Sequence, residues 1–289
     1  MITSPAFAGK RYAVLGLARS GAAAAEALIA SGAEVIGWDR QDVAREPFVG
    51  RCRLIDPLEL DLTGFAGVVV SPGVPLNSHP IAPHVWQYGL PVIGDIELFA
   101  AARPHLPPHR VVGITGTNGK STTTALTHHI LESAGVPCVM GGNIGDPILG
   151  QDPLPEGGVY VLELSSFQVD LTFTLDCDIA ALTNITPDHL DRYASFEAYA
   201  ASKERLFAMQ QTGTALICDE DEPTRAIADR LGPAGCRAGA LCGSLSFDRP
   251  AGAGPHRLCR RCGVPRRAAE LAPDRAACVA IWLAGHRRH

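Results

Sequence analysis

Residues 113–122 read Gly-Ile-Thr-Gly-Thr-Asn-Gly-Lys-Ser-Thr, set between a short apolar run and a helix-forming stretch. A glycine-rich turn in that setting aims backbone N–H groups and a helix N-terminus at phosphate oxygens. Lys120 is then placed for the β- and γ-phosphates of ATP, and Ser121 or Thr122 for Mg²⁺. Gly116, Thr117, Asn118 and Gly119 make up the turn. Gly113 stands six residues before Gly119 rather than five, so the spacing departs from the strict P-loop. The competing explanation is an accidental glycine turn, and the strand–loop–helix context argues against it.

Glu163 ends a second apolar run, at the strand end where open α/β sheets place ligands, and a carboxylate there can hold Mg²⁺ against phosphates. Alone it would read as a surface acid; the loop at 113–122 reverses that preference. His189, between Asp188 and Asp191, is in isolation a structural or solvated histidine. Lys203 reads as a solvated helix lysine, although it is one of only 3 lysines in the chain. Near the N-terminus, Gly16-Leu-Ala-Arg-Ser-Gly21 with Asp39 beyond it imitates a dinucleotide fingerprint, but Ala18 replaces the middle glycine. As a nicotinamide signal this is weak.

These residues need elements to position them. Residues 12–39 read strand, glycine turn, Ala-rich helix, strand, which is a βαβ unit. Further strands are expected at 67–71 and 90–93, followed by turn chemistry in Ser-Pro-Gly-Val-Pro and Gly-Asp-Ile-Glu-Leu-Phe. Three prolines within 103–110 predict a stiff connector. Beyond it, strands at 111–115, 159–164, 179–184 and 215–218 alternate with helices at 120–134 and 196–209, the second capped by Ser195. Alternation of this kind implies parallel sheets covered on both faces. The expected fold is α/β: a Rossmann-like parallel-sheet domain at 1–93, then a P-loop-type parallel-sheet domain at 94–232.

In order and spacing, GTNGKST, GGNIG at 141–145, LELSSFQ at 162–168 and NITPDHLDRY at 184–193 resemble the Mur ligase family. The nearest member in motif is the one that adds D-glutamate to UDP-N-acetylmuramoyl-L-alanine in peptidoglycan precursor synthesis, and so serves cell shape and division. The resemblance covers about residues 10–231. It implies ATP and two Mg²⁺ ions as cofactors, His189 as a ligand of the second Mg²⁺, and Lys203 as an N-carboxylysine able to ligate metal. It further implies that the UDP part of the substrate meets Arg19, Ser20, Asp39, Arg40, Ser71, Gly73 and Asn143, each of which could equally be a turn residue. The implied metal set is Ser121, Glu163, His189 and carbamoylated Lys203.

Composition limits the alternatives. Net charge is -5, with Arg in large excess over Lys, so no overall basic surface points to nucleic acid. No run approaches ~18 apolar residues, and the first residues lack a signal-peptide pattern, so a cytoplasmic, monomeric small-molecule enzyme is the expectation. Near Gly232 the character changes: residues 235–289 hold 5 of the 9 cysteines and 10 arginines against 3 acids. The family's third domain is not recognisable there, and the bias is that of a shifted reading frame in a GC-rich gene. The expectation for 233–289 is a disordered tail, and for the chain as it stands weak nucleotide binding without turnover. Cys259-Arg-Arg-Cys262 beside His256 is half of a zinc site at most. Three classes therefore stand: a ligase, a nicotinamide oxidoreductase, and a nucleotide-binding fragment.

Overall fold

A computed structural model describes residues 1–218, 221–231 and 239–241, the last three by backbone alone. Two parallel sheets organise the chain. The first carries β1 (Arg11–Leu15), β2 (Glu34–Trp38), β3 (Arg53–Leu54), β4 (Gly67–Val70) and β5 (Val92–Ile93) in the order β3-β2-β1-β4-β5. Its helices are α1 (Arg19–Ala30), α2 (Asp42–Arg45) and α3 (Ile81–Trp86). The strand order reverses beside β1, so the 16–21 loop leaves the sheet where such folds open a ligand crevice.

Helix α4 (Asp95–Ala102) and a 3-10 turn at Arg103–His105 lead into the second sheet. That sheet holds β6 (His109–Thr115), β7 (Cys138–Gly142), β8 (Gly158–Glu163), β9 (Ile179–Leu182), β10 (Thr214–Cys218) and β11 (Gly239–Leu241), in the order β11-β10-β9-β6-β8-β7. Its helices are α5 (Lys120–Ser133), α6 (Ser166–Asp170), α7 (Phe196–Ala208) and α8 (Glu222–Leu231). Strands β4, β8 and β9 are buried along their whole length, as a sheet covered on both faces requires.

The predicted strands and the two long helices are present, with ends moved by a residue or two. Three elements depart from the sequence reading. Gly-Asp-Ile-Glu-Leu-Phe, read as turn chemistry, opens α4. The 103–110 connector is shorter than its prolines suggest, because β6 already begins at His109. Cys138–Gly142, unassigned from sequence, is the edge strand β7, paired in parallel with β8. The tail expectation and the Cys259/Cys262 pair lie outside the described residues, apart from Gly239–Leu241, whose backbone pairs in parallel with β10.

Helix α4 packs on α1, and one hydrophobic cluster runs from Ile2, Phe7 and Leu28 through Phe99 to Tyr160 and Leu162. The two sheets therefore share a core. Ile2, fully buried, donates its backbone N–H to Leu149 O at 2.9 Å. Gly94 N bonds Leu171 O at 2.9 Å, and Glu97 on α4 accepts from Phe173 N and Thr174 N. Among the described residues, no helix is long and apolar enough to cross a membrane.

Candidate active site

The turn after β6 is held from the side by the segment that follows β9. Thr117 N bonds Asn184 O at 2.8 Å, and Asn118 N bonds Asn184 Oδ1 at 2.9 Å. Thr183 Oγ1 and Asn184 Nδ2 both donate to Asn118 O, while Thr186 N donates to Thr117 Oγ1 at 3.0 Å. Gly116 has φ +145, and a Cβ there would stand 2.0 Å from Thr183 Oγ1, so only glycine lets the two loops touch. Gly119, at φ +82, caps α5. Ser121 and Thr122 are exposed in the first turn of α5, beside the helix N-terminus.

Lys120 is half-buried, and its Nζ donates to Thr117 O at 2.9 Å. Burial pushes its ammonium down from the ordinary lysine range, while Glu163 and Asp188 oppose that shift. Register explains the proximity. β6 and β8 pair Ile114 with Glu163, so the acid ends its strand beside the start of the turn. Glu163 is 1% exposed; Oε1 accepts from Asn143 Nδ2 at 2.9 Å, and Oε2 is buried with no hydrogen-bond partner. An ionisable oxygen left bare in the interior is costly unless a cation or donor completes it. The Glu163 carboxylate thus fits a Mg²⁺ ion. Among the described residues no three His, Cys, Asp or Glu side chains gather as a ready-made metal cluster.

Lys203 comes to the same turn from α7. It is 1% exposed, and Nζ donates to Gly116 O at 2.8 Å and lies 4.6 Å from the centre of the Tyr199 ring. Burial first, and then the charge of Lys120, bring its ammonium down to about 7, against the pull of Asp188 and Asp170. The bland alternative for this residue, a solvated helix lysine, is overturned: the structure buries it. His189 has φ 52, and its Nε2 lies 3.5 Å from Asp188 Oδ2. Its ring is 4.9 Å from that of Phe167 and 6.2 Å from that of Tyr199. Lys120, Glu163 and Lys203 are thus brought together around one loop, with His189 attached through Asp188 and the aromatic rings.

The second group of candidates stands at the first sheet. Ser71 Oγ donates to Gly16 O at 2.9 Å, and Asp39 accepts from Leu17 N at 2.7 Å and Gln41 N at 2.9 Å. Asp39 and Ser71 therefore brace the 16–21 loop, whatever else they contact. Arg19 reaches across to Gly145 O in the GGNIG turn, while Arg40 is exposed near His79. Gly73 has ordinary backbone, and a Cβ there would meet nothing within 4 Å, so the fold does not demand glycine. Asn143, in that same GGNIG turn, is bonded to Glu163. The two groups face each other through loops: Arg192 Nη2 bonds Val74 O at 3.1 Å, and Asn77 Nδ2 bonds Asp191 O at 3.0 Å.

Sequence reasoning left out Asp188, Tyr199 and the Thr183–Asn184–Thr186 supports. Asp188 and Asn184 stood inside a quoted motif, so a signal existed for them. Tyr199 looked like any aromatic residue on a helix.

Residues 114–243 match the family described as the Mur ligase middle domain. The chain is 71% identical over 211 residues to a UDP-N-acetylmuramoylalanine--D-glutamate ligase of Novosphingobium aromaticivorans, covering 73% of this chain and 48% of that one. It is 66% identical over 233 residues to the enzyme of the same name from Sphingopyxis alaskensis, covering 80% and 54%. The chain spans about half the length of the curated relatives it matches. Among solved structures, the Neisseria meningitides UDP-N-acetylmuramate:L-alanyl-gamma-D-glutamyl-meso-diaminopimelate ligase shares the fold, with TM-score 0.53 at 20% identity over 80% of this chain and 76% of that one. With the loop, the acid and the buried lysine arranged around one strand end, residues 114–243 are a Mur ligase middle domain, and the chain is similar to Mur ligases over about three quarters of its length.

Proposed function

We propose that this chain carries the UDP-substrate and ATP sites of a ligase that joins D-glutamate to UDP-N-acetylmuramoyl-L-alanine. The observation that carries the reading is the buried, bare Oε2 of Glu163 at the strand end beside Lys120. That pairing of a P-loop amine with an unsatisfied acid suits the polyphosphate of ATP and its metal. In this reading the 16–21 loop, Asp39, Arg40, Ser71 and Gly73 receive the UDP moiety, and the family's cytoplasmic role in cell-wall synthesis follows.

A carboxylate must become a leaving group before an amine can displace its oxygen. The γ-phosphoryl group passes from ATP to the alanyl carboxylate, giving an acyl phosphate and ADP. The neutral amine of D-glutamate then attacks the acyl carbon, loses a proton, and expels phosphate as the amide forms. Positioning and charge neutralisation do most of the work in such transfers. Lys120 and the free N–H groups at the start of α5, which Gly119 caps, would hold the transferring phosphoryl group. Glu163, oriented by Asn143, and Ser121 would hold one Mg²⁺, and His189 with Lys203 would hold a second; such ions would supply neutralisation of the phosphate charge. Lys203 can do so only as its carbamate, formed when the neutral amine adds to carbon dioxide and releases a proton. Its pKa near 7 leaves a large neutral fraction available.

The test is calorimetry with each ligand and phosphate release with both. Lys120→Ala is expected to weaken binding of a non-hydrolysable ATP analogue at least about tenfold, because a charged hydrogen bond to phosphate is lost. UDP-N-acetylmuramoyl-L-alanine should bind unchanged. Equal ATP affinity in the variant would sink the assignment of the loop. Phosphate release that depends on D-glutamate supports the ligase, and nucleotide binding without release supports the nucleotide-binding fragment.

A further inference from the structure

Tyr199 touches both the phosphate loop and Lys203. It lies on α7, one turn before Lys203, and is 1% exposed. Its hydroxyl is 3.1 Å from Thr117 Oγ1 in the phosphate loop. The direction of that bond follows from the neighbours. Thr117 Oγ1 donates to Thr186 O at 3.1 Å and accepts from Thr186 N at 3.0 Å, so its one proton is spent and Tyr199 is the donor. One face of the Tyr199 ring backs the Lys203 amine at 4.6 Å. Tyr193 packs against the same ring at 5.3 Å, edge to face, and is itself tied to Asp170 at 2.7 Å. The ring is thus wedged in place, and the hydroxyl reaches the loop from a fixed base.

We propose that Tyr199 is a positioning residue which couples the phosphate loop to Lys203, its hydroxyl anchoring Thr117 and its ring holding the lysine amine against Gly116 O. The inference rests on the reading of Lys203 as a carbamate and of the loop as an ATP site. A buried phenol that donates to the loop fixes one edge of the phosphate cradle. The flat ring beside Nζ leaves the amine few places to go other than toward Gly116 O and the side where Lys120 lies. Phosphate loop and carbamate are then aligned through one rigid side chain, as a preorganised site requires.

Three variants separate the two contacts. Tyr199→Phe removes only the hydroxyl, and Tyr199→Leu removes the ring as well. Thr117→Val removes the acceptor from the other end. Two readouts are taken on the full chain: affinity for a non-hydrolysable ATP analogue with Mg²⁺, and the carbamate resonance after equilibration with ¹³C-labelled bicarbonate. Tyr199→Phe is expected to bind the analogue about fivefold more weakly, the cost of one buried hydrogen bond, and to keep the carbamate resonance. Tyr199→Leu should lose both. Thr117→Val also breaks the two bonds to Thr186, so it is expected to be the weaker single variant, and adding Tyr199→Phe to it should cost nothing more, since the Tyr199 bond is already gone. Wild-type affinity in Tyr199→Phe, additive losses in the double variant, or a full carbamate resonance in Tyr199→Leu would overturn the proposal. If Tyr199→Leu does not fold, the Phe and Val cycle still decides the hydroxyl's part. A wild-type chain with neither nucleotide affinity nor a carbamate resonance would remove the underlying reading first, a different result from any of these.

Discussion

Lys120 and Lys203 both donate to carbonyls of the same glycine turn, and burial lowers the ammonium pKa of both. Lys120 has Glu163 and Asp188 to hold its charge, which suits a group that must stay cationic against phosphate. Lys203 has Lys120 working against it and falls to about 7. Carbon dioxide reacts only with the neutral amine, so at fixed dissolved carbon dioxide the carbamate resonance should grow as pH rises through about 7. A resonance that is flat across that range would show that the amine is not titrating there. Glu163 supports a second prediction. Glu163→Gln keeps an oxygen for Asn143 but places an NH₂ where the bare Oε2 now stands, turning a positive dipole end toward the metal. Binding of Mg²⁺ with nucleotide should fall at least about tenfold, by analogy with losses seen when groups around a metal are altered. Metal-free binding of the UDP-linked substrate should not change.

At the scale of elements, the site depends on close approach of backbone to backbone. Gly142, the last residue of β7, has φ +92, and a Cβ there would stand 2.2 Å from Glu163 O, which is backbone and cannot swing away. Gly142→Ala is therefore expected to cost at least about 2 kcal/mol. Thermal unfolding should show a drop of roughly 5 °C or more. Gly73→Ala is the matching control: with open space around it, stability should hold, and any loss of UDP-substrate affinity would then report contact with ligand. The strands that carry the loop and the acid were legible in the sequence because apolar runs ended in sharp turn chemistry. β7 was not, because its closing Gly-Gly looks like a turn when the neighbouring carbonyl is out of sight. α4 was missed for a different reason. Ile96, Leu98, Phe99, Ala100 and Ala102 are all buried, so no polar face marks the helical period. Lys203 was placed on the right helix, and its residue type alone read as solvated; only the resemblance drew it into the site, where α7 turns both Tyr199 and Lys203 inward under the loop. Chemistry at the loop was readable from residue types; the burial that tunes Lys203 needed the packing of α7 against the second sheet.

Across the whole molecule, the two sheets meet at a buried carboxyl. Asp95 opens α4 just after the last strand of the first sheet and is 3% exposed, with no well-formed hydrogen bond to either carboxylate oxygen and only weak polar contacts around it. Burial pushes it up from 3.8 to about 6, and weaker influences from its own helix start, from Gln168 on α6 and from Ser20 on α1 offset that only in part. The sign follows directly. In the unfolded chain the carboxyl ionises near its ordinary value, so between about pH 4 and 6 the folded state binds more protons. Stability contributed by this group therefore rises as pH falls through about 6 and is complete below the unfolded value. At neutral pH its ionisation opposes folding by about 3 kcal/mol, the free energy of a shift of roughly two pKa units. Asp95→Asn, which cannot ionise, is expected to be more stable than the parent at pH 8, by up to that amount. The advantage should shrink toward pH 5 as the parent protonates. Urea unfolding of both proteins at the two pH values measures it. A variant less stable than the parent at pH 8 would mean that the carboxylate is held there by donors strong enough to outweigh its burial, and that the junction between the sheets depends on its charge.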